Sequence, residues 1–256
     1  MYTALLWRGR PDVGGFPRRE CMSDHSEQGA VLDLKEYMSV RRAYSVVRQA
    51  VASDERLTFE EFAIICHLRE LGEPVKTSAI AEYQGALRPT MTHRTNHLEK
   101  LGLIERAEGT SDRRNVVCSV SEKGAERALE LAGLTCDQIP NGHALSRTSP
   151  DRLVKYVDAM GGFFCKAGEL VLLGLRSLDG ESATIMRLVD TLGLLQPTVS
   201  MSVSSLADRG LVERERSAAG AHTTSVRLTH DGEQAADELV EKIEALVVRR
   251  KPRTSN

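Results

Sequence analysis

A run of basic and hydroxyl side chains between residues 88 and 97 could bind the edges of nucleic-acid bases and their phosphates. Arginine can donate two hydrogen bonds to a guanine, and hydroxyl groups can donate to phosphate oxygens. Met91, Thr95 and Leu98 are spaced as the inward face of a helix. The residues predicted to face outward and contact the nucleic acid are Arg88, Thr90, Thr92, His93, Arg94 and His97.

A second basic group lies farther along the chain, in a polar turn between two predicted strands. Segments 103–106 and 116–120 alternate as strands around this turn. Asp112, Arg113 and Arg114 lie at its tip. Because a narrow minor groove attracts guanidinium groups, we expect this hairpin to contact DNA beside the helix.

Other chemistries receive less support from the residue spacing. His93 and His97 lie four residues apart, as two metal ligands can, but neither an HExxH pattern nor a nearby third ligand accompanies them. The chain has no Gly-rich phosphate loop and no Ser-x-x-Lys or Gly-x-Ser-x-Gly pattern. We therefore expect no metal, no cofactor and no enzymatic activity. Cys165 is the best candidate for a reactive thiol.

The elements that would position these residues occur twice. Segment Leu98-Glu-Lys-Leu-Gly-Leu-Ile-Glu-Arg106 recurs 108 positions later as Leu206-Ala-Asp-Arg-Gly-Leu-Val-Glu-Arg214. The same offset relates Pro89-Thr90 to Pro197-Thr198, Gly85 to Gly193 and Gly124 to Gly232. A register shared over about 70 residues indicates two copies of one domain.

Each copy has the pattern of three helices, a strand hairpin and a further helix. Thr58 and Glu61 form a capping box that begins one helix, residues 77–83 form a short helix, and Gly85 provides the turn before the basic helix. Long helices are predicted at 38–53, 150–166 and 232–249. The predicted fold is mainly α with small β-hairpin wings: two tandem winged helix-turn-helix domains plus a helical dimerisation or packing lobe.

The predicted domain boundaries follow shifts in composition. We predict a disordered N-terminal segment at 1–30, a first winged-helix domain at 31–135, a linker at 136–149, a second winged-helix domain at 150–250 and a basic tail at 251–256. The first segment combines Arg with Gly and Pro and lacks a secretory leader pattern. Met22 is a candidate for the natural start of translation.

The overall composition excludes several classes of protein. With 34 Lys and Arg against 36 Asp and Glu, the net charge of -2 does not suit a basic protein that coats nucleic acid. No apolar run approaches the roughly 20 residues that span a bilayer. Five scattered cysteines imply neither a disulfide framework nor a zinc knuckle. We expect a cytoplasmic protein that does not contact a membrane.

Several of the repeated motifs are specific in combination. In the first copy they are Arg88-Pro-Thr-Met-Thr92, segment 98–106, Asp112-Arg-Arg114 and Val120-Ser-Glu-Lys-Gly124, and in the second Leu195-Gln-Pro-Thr-Val-Ser200, segment 206–214 and Val226-Arg-Leu-Thr-His-Asp-Gly232. Together they resemble the MarR family of bacterial transcriptional regulators over most of residues 38–250. Unlike ordinary members, which carry one such domain and dimerise, this chain carries two.

The resemblance implies sequence-specific binding of double-stranded DNA, with a recognition helix in the major groove and a wing arginine in the minor groove. It implies that Asp112 orients the neighbouring arginine. It also implies a small aromatic effector between the dimerisation helices and the DNA-binding lobe, for which Tyr44, Tyr156 and Phe163 are candidate contacts. Packing in the core is the alternative role of these three rings.

The second copy has a weaker basic signal. Its candidate DNA contacts are Gln196, Thr198, Ser200 and Ser202, and residues 150–250 contain twelve Lys and Arg against fifteen Asp and Glu. Gly220, Ala221 and His222 stand where the first copy has Asp112, Arg113 and Arg114. This copy could bind DNA with less salt dependence, or serve as a pseudo-partner that supports the first copy.

The sequence leaves two assemblies and one rival function open. One chain could form a pseudo-dimer whose recognition helices lie one DNA turn apart, ~34 Å, and an asymmetric operator is then expected. Alternatively, two chains could form a homodimer in which only the first copies contact DNA. Tandem winged helices also serve as protein–protein scaffolds, as in the accessory subunits of condensin-like complexes. The paired wing arginines favour DNA, because a protein clasp needs apolar grooves more than cations.

Overall fold

The computed structural model describes residues 29–108, 116–178, 181–216 and 224–249, and within them the chain forms ten helices and eight short strands. The helices of the first copy are α1 (Leu34–Ala50), α2 (Phe59–Leu71), α3 (Thr77–Tyr83), α4 (Arg88–Lys100) and α5 (Glu122–Asp137). Its strands are β1 (Ala30–Val31), β2 (Val75–Lys76), β3 (Ile104–Glu108) and β4 (Val116–Val120).

The second copy repeats this order of elements. Its helices are α6 (Pro150–Met160), α7 (Ala167–Arg176), α8 (Ile185–Leu192), α9 (Gln196–Asp208) and α10 (His230–Glu244). Its strands are β5 (Ala183–Thr184), β6 (Val212–Arg216), β7 (Thr224–Leu228) and β8 (Val247–Val248). The predicted fold class, mainly helical with small antiparallel sheets, is confirmed.

Some predicted features lie outside the described residues. They are the N-terminal segment up to residue 28 with Met22, the hairpin tips that hold Asp112, Arg113 and Arg114 in one copy and Gly220, Ala221 and His222 in the other, and the basic tail at 251–256.

Local sequence signals explain where the helices of the first copy begin and end. Thr58 and Glu61 form the predicted capping box at the start of α2, with Thr58 N donating to Glu61 Oε2 at 2.8 Å. The chain leaves α4 through Gly102, whose φ of 71° lies in the left-handed region that glycine tolerates. The predicted inward face of α4, which is Met91, Thr95 and Leu98, is fully buried.

The two wings have the same strand order and register. The sheets run β2-β4-β3 and β5-β7-β6, with antiparallel neighbours. Arg106 pairs with Cys118 in the first sheet, and Arg214 pairs with Val226 in the second. Each pair is related to the other by the offset of the sequence repeat, so the internal repeat predicts the strand pairing as well.

The long helices differ from their predicted bounds. The helix predicted at 150–166 ends at Met160, and a turn at 161–166 separates it from α7. The helix predicted at 232–249 ends at Glu244, after which Val247 and Val248 pair with β1. Side-chain periodicity does not reveal this pairing, because it joins residues from opposite ends of the described chain.

The buried side chains of both copies form one continuous apolar core. In this core α6 of the second copy packs against α2 and α5 of the first, while α1 packs against α8 and α10. Tyr37 and Tyr156, one from each copy, are among the largest fully buried side chains. The copies are therefore packed together within one chain. In the described part of the chain, no helix is both long and apolar enough to cross a membrane.

Candidate nucleic-acid interface

The exposed face of α4 carries four of the six predicted contact residues. Arg88, Thr90, Thr92 and His93 are all exposed. Thr92 Oγ1 donates to Arg88 O at 3.0 Å, so the hydroxyl oxygen of Thr92 can still accept a hydrogen bond from a ligand. These four side chains lie at the N-terminal half of α4, the end of a recognition helix that reaches base edges.

The other two predicted contact residues of this helix turn toward the domain. Arg94 Nη1 donates to Gln84 Oε1 at 2.8 Å, and the Arg94 side chain is 20% exposed. His97 Nδ1 lies 2.7 Å from Glu61 Oε1, where the His97 side chain is 33% exposed. Both side chains therefore have partners on α2 or α3.

Two cations that the sequence reasoning missed lie beside the exposed face. A cleft of about 250 Å³ between α3, α4 and the wing is lined by Lys76, Arg88 and Arg106, together with hydroxyl groups. Arg106 donates to Asn96 and lies 3.1 Å from Glu99, so β3 is attached to α4. The alternation of side chains along β3 could have identified Arg106. It lies two residues after the buried Ile104, so its side chain is on the strand face that packs on the domain.

The corresponding face of the second copy is less basic. Gln196 is exposed, whereas Thr198, Ser200 and Ser202 are half-buried. The repeat offset places Thr184, Gln196 and Met201 where the first copy has Lys76, Arg88 and His93. The large apolar side chains exposed here are Met186, Leu195 and Met201, at 54%, 58% and 74%.

The three candidate effector contacts are engaged in packing. Tyr44 stacks on Phe62 at 4.8 Å between ring centroids and donates to Leu57 O at 3.1 Å. Tyr156 is 1% exposed and donates to Glu36 Oε1 at 2.9 Å. Phe163 packs against the core and lies 5.9 Å from Lys242 Nζ.

A cavity of about 530 Å³ opens between α1, the turn at 140–144 and α8. Its cationic lining residues are Lys35, Arg42 and Arg187, and Asp190 is the acidic one. Met38 and Leu178 form an apolar part of the cavity wall. None of the three candidate aromatic residues lines this cavity.

Cys165 is buried and has a weakened acidity. Its exposure is 3%, and burial raises the pKa of its thiol to about 11. Because the thiolate is the reactive form, the environment does not activate this thiol at neutral pH. Among the described residues, no group of three His, Cys, Asp or Glu side chains could hold a metal ion.

Two segments of the chain match models of the same protein family. Residues 57–116 match one model of the MarR family, and residues 170–221 match another. The two matches support a tandem arrangement of two MarR-type domains. The first match includes α4 and β3, and the second includes α9 and β6. Both matches support a transcription regulator of MarR type.

Two solved structures are similar to part of the chain. BpsR from Bordetella bronchiseptica, whose DNA binding is regulated by 6-hydroxynicotinic acid, is 28% identical over 31% of this chain and 61% of BpsR, with a TM-score of 0.28. The match therefore spans less than two thirds of that protein. YusO from Bacillus subtilis is 24% identical over 40% of this chain and 67% of YusO, with a TM-score of 0.32. No curated protein sequence matches the chain.

Proposed function

We propose that the chain is a sequence-specific transcription regulator whose first MarR-family domain makes the main contact with double-stranded DNA. In this proposal α4 enters the major groove, and Arg113 and Arg114 enter the adjacent minor groove. The observation that carries it is the continuous polar face formed by Arg88, Thr90, Thr92 and His93 beside the cations Lys76 and Arg106.

The chemistry of this face suits a duplex. Arg88 and His93 can reach base edges or phosphates from the first half of α4, and the exposed Lys76 can neutralise a phosphate beside them. In the second copy Thr184 and Gln196 replace the cations Lys76 and Arg88, and Met201 replaces the imidazole of His93. We therefore assign the second copy a smaller share of the phosphate contacts, through Gln196, Thr198, Ser200 and Ser202.

We further infer that one chain acts as a pseudo-dimer. The packing of α6 on α2 and α5 supports this assignment, because it joins the two copies through one apolar core within a single chain. The mass of the complex with a selected duplex tests it. One chain per duplex and an asymmetric footprint are expected, whereas two chains on a perfect palindrome would contradict it.

We propose a small aromatic anion as the effector of the 530 Å³ cavity, since Lys35 can bind a carboxylate while Met38 packs on the ring. Benzoate and its uncharged analogue benzamide are suitable probes in a thermal shift assay. Benzoate should raise the melting temperature of the wild type but not of Lys35→Glu. Equal shifts from both compounds would contradict an anion site.

The experiment that tests DNA binding is selection from a random duplex library, followed by titration over a salt series. Arg88→Ala should weaken binding and lower the salt slope by about one. Gln196→Ala, at the equivalent position of the second copy, is the matched control and should leave the slope unchanged. Failure of the wild type to enrich any sequence would overturn the proposal.

A protein–protein scaffold is the second candidate function. It is favoured by Met186 and Met201 of the second copy, which are exposed apolar side chains where the first copy has Ser78 and His93. Under this alternative the selection yields no enriched duplex, with or without Arg88.

A further inference from the structure

Two polar side chains of α4 connect the recognition helix to the rest of the first domain. We infer that Arg94 and His97 are positioning residues: they hold α4 in orientation against α2 and α3 and do not contact DNA. The inference rests on the proposed function, because it assigns the two residues a role in forming that interface. We call Glu60, Glu61, Gln84, Arg94 and His97 the support cluster.

His97 is attached to the first turn of α2. Its Nδ1 lies 2.7 Å from Glu61 Oε1, and the Glu61 side chain is only 4% exposed. A carboxylate can only accept, so His97 donates this hydrogen bond. The second oxygen of Glu61 accepts from Thr58 N at 2.8 Å. Both oxygens are therefore used, and His97 is bound to a group that is itself fixed by the capping box.

Arg94 is attached through a buried amide. Gln84, which follows α3 and is 6% exposed, accepts from Arg94 Nη1 at 2.8 Å. The other end of the same amide donates to Glu60 O at 2.8 Å. Arg94 Nη2 also lies 3.9 Å from Glu60 Oε1. Arg94 thus joins α4 to the end of α3 and to the start of α2 at once.

The start of α2 is in turn attached to α1. Tyr44 Oη and Arg48 Nε both donate to Leu57 O, at 3.1 and 3.0 Å. Leu57 directly precedes Thr58 and the capping box. The orientation of α4 is therefore set relative to α1, which packs against α8 and α10 of the second copy.

The equivalent positions of the second copy, all of them described, do not form such a cluster. The repeat offset places Leu192, Ser202 and Ser205 at the positions of Gln84, Arg94 and His97. There, α9 is held by the buried Val199, Val203 and Leu206. The support cluster therefore occurs in the copy whose recognition face is basic, where a defined helix orientation matters for reading bases.

The direct test uses hydrogen exchange of the free protein, which does not depend on DNA. His97→Ala and Gln84→Leu, which introduces the residue of the second copy, should speed exchange of the α4 amides at least several-fold. His93→Ala, the exposed neighbour, is the matched control and should leave exchange unchanged. His97→Gln keeps a donor for Glu61 and should restore most of the protection. Unchanged α4 exchange in both His97→Ala and Gln84→Leu would overturn the inference.

The second test uses a duplex selected by the wild type. His97→Ala should lower affinity about tenfold, the equivalent of one hydrogen bond to a charged group, across all base positions. Arg94→Leu should lower affinity with the salt slope unchanged. Relaxed preference at a single base pair, or a slope lower by about one, would show direct contact and overturn the inference. A wild type that binds no duplex overturns the proposed function instead, while the exchange test still decides the role of the cluster.

Discussion

His67 of the first copy and Asp158 of the second form a buried pair, with 2.8 Å between Nδ1 and Oδ1 and about a tenth of each side chain exposed. The ring of Tyr83 stacks on His67 at 3.8 Å, and its hydroxyl donates to Asp158 O at 2.6 Å. Tyr83 ends α3, the first helix of the helix-turn-helix. The helix-turn-helix of the first copy is therefore attached directly to α6 of the second.

Loss of the Asp158 carboxylate should destabilise the whole chain. Asp158→Ala leaves a buried ring nitrogen of His67 without its hydrogen-bond partner, and such an unsatisfied group costs about 2 kcal/mol of unfolding free energy. Urea denaturation measures the loss. The control is Asp151→Ala, which removes an exposed partner of Arg69 and should cost less than about 1 kcal/mol. An equal loss of unfolding free energy in the two variants would show that the buried pair stabilises the protein no more than the exposed pair does.

Two equivalent glycines should tolerate no side chain. A Cβ at Gly124 would overlap Leu103 O, and one at Gly232 would overlap Leu211 O. Both contacts are with backbone, which cannot rotate away, so each alanine variant should lose about 2 kcal/mol or more. Differential scanning calorimetry checks this. Gly133→Ala is the control, because its Cβ would meet Pro150 at an ordinary 3.8 Å and helix propensity favours alanine. A neutral Gly124→Ala would contradict the packing described for the first wing.

Lys166 is an unfavourable start for α7. Lysine has no acceptor for the free N–H groups, and its charge opposes the helix dipole, whereas Thr58 caps the equivalent α2. Lys166→Thr should therefore stabilise the protein by about 1 kcal/mol, raising the melting temperature by about 2–4 °C. Thermal denaturation followed by circular dichroism measures the shift, with Lys166→Ala separating loss of charge from gain of a cap. No gain of Lys166→Thr over Lys166→Ala would contradict the capping argument.

Stability should fall at alkaline pH, in part because of Cys165. Burial raises the pKa of its thiol from 9.0 to about 11. Between these values the unfolded chain loses the proton while the folded chain keeps it, so this contribution is complete below pH 9 and is lost as the pH rises through 11. The unfolding free energy of Cys165→Ala should depend less steeply on pH over this window than that of the wild type. Parallel curves would contradict the assignment.

Helix spacing predicts the core face of α4 correctly but not the direction of every polar side chain. Met91, Thr95 and Leu98 are buried as the period of 3.6 residues requires. Arg94 and His97 lie at positions that spacing alone assigns to solvent. Their partners Gln84 and Glu61 come from two other helices, and only helix packing brings those acceptors within reach.

The sequence by itself determined the two copies, their winged-helix elements and the stronger basic signal of the first, because caps, periodicity and the repeat offset are local properties. The tertiary structure decided how the copies combine. The pairing of β1 with β8 and of His67 with Asp158 joins residues far apart in the chain, and no local pattern encodes such contacts. The tertiary structure also decided which basic side chains of α4 face solvent, because the burial of Arg94 and His97 depends on residues of the neighbouring helices.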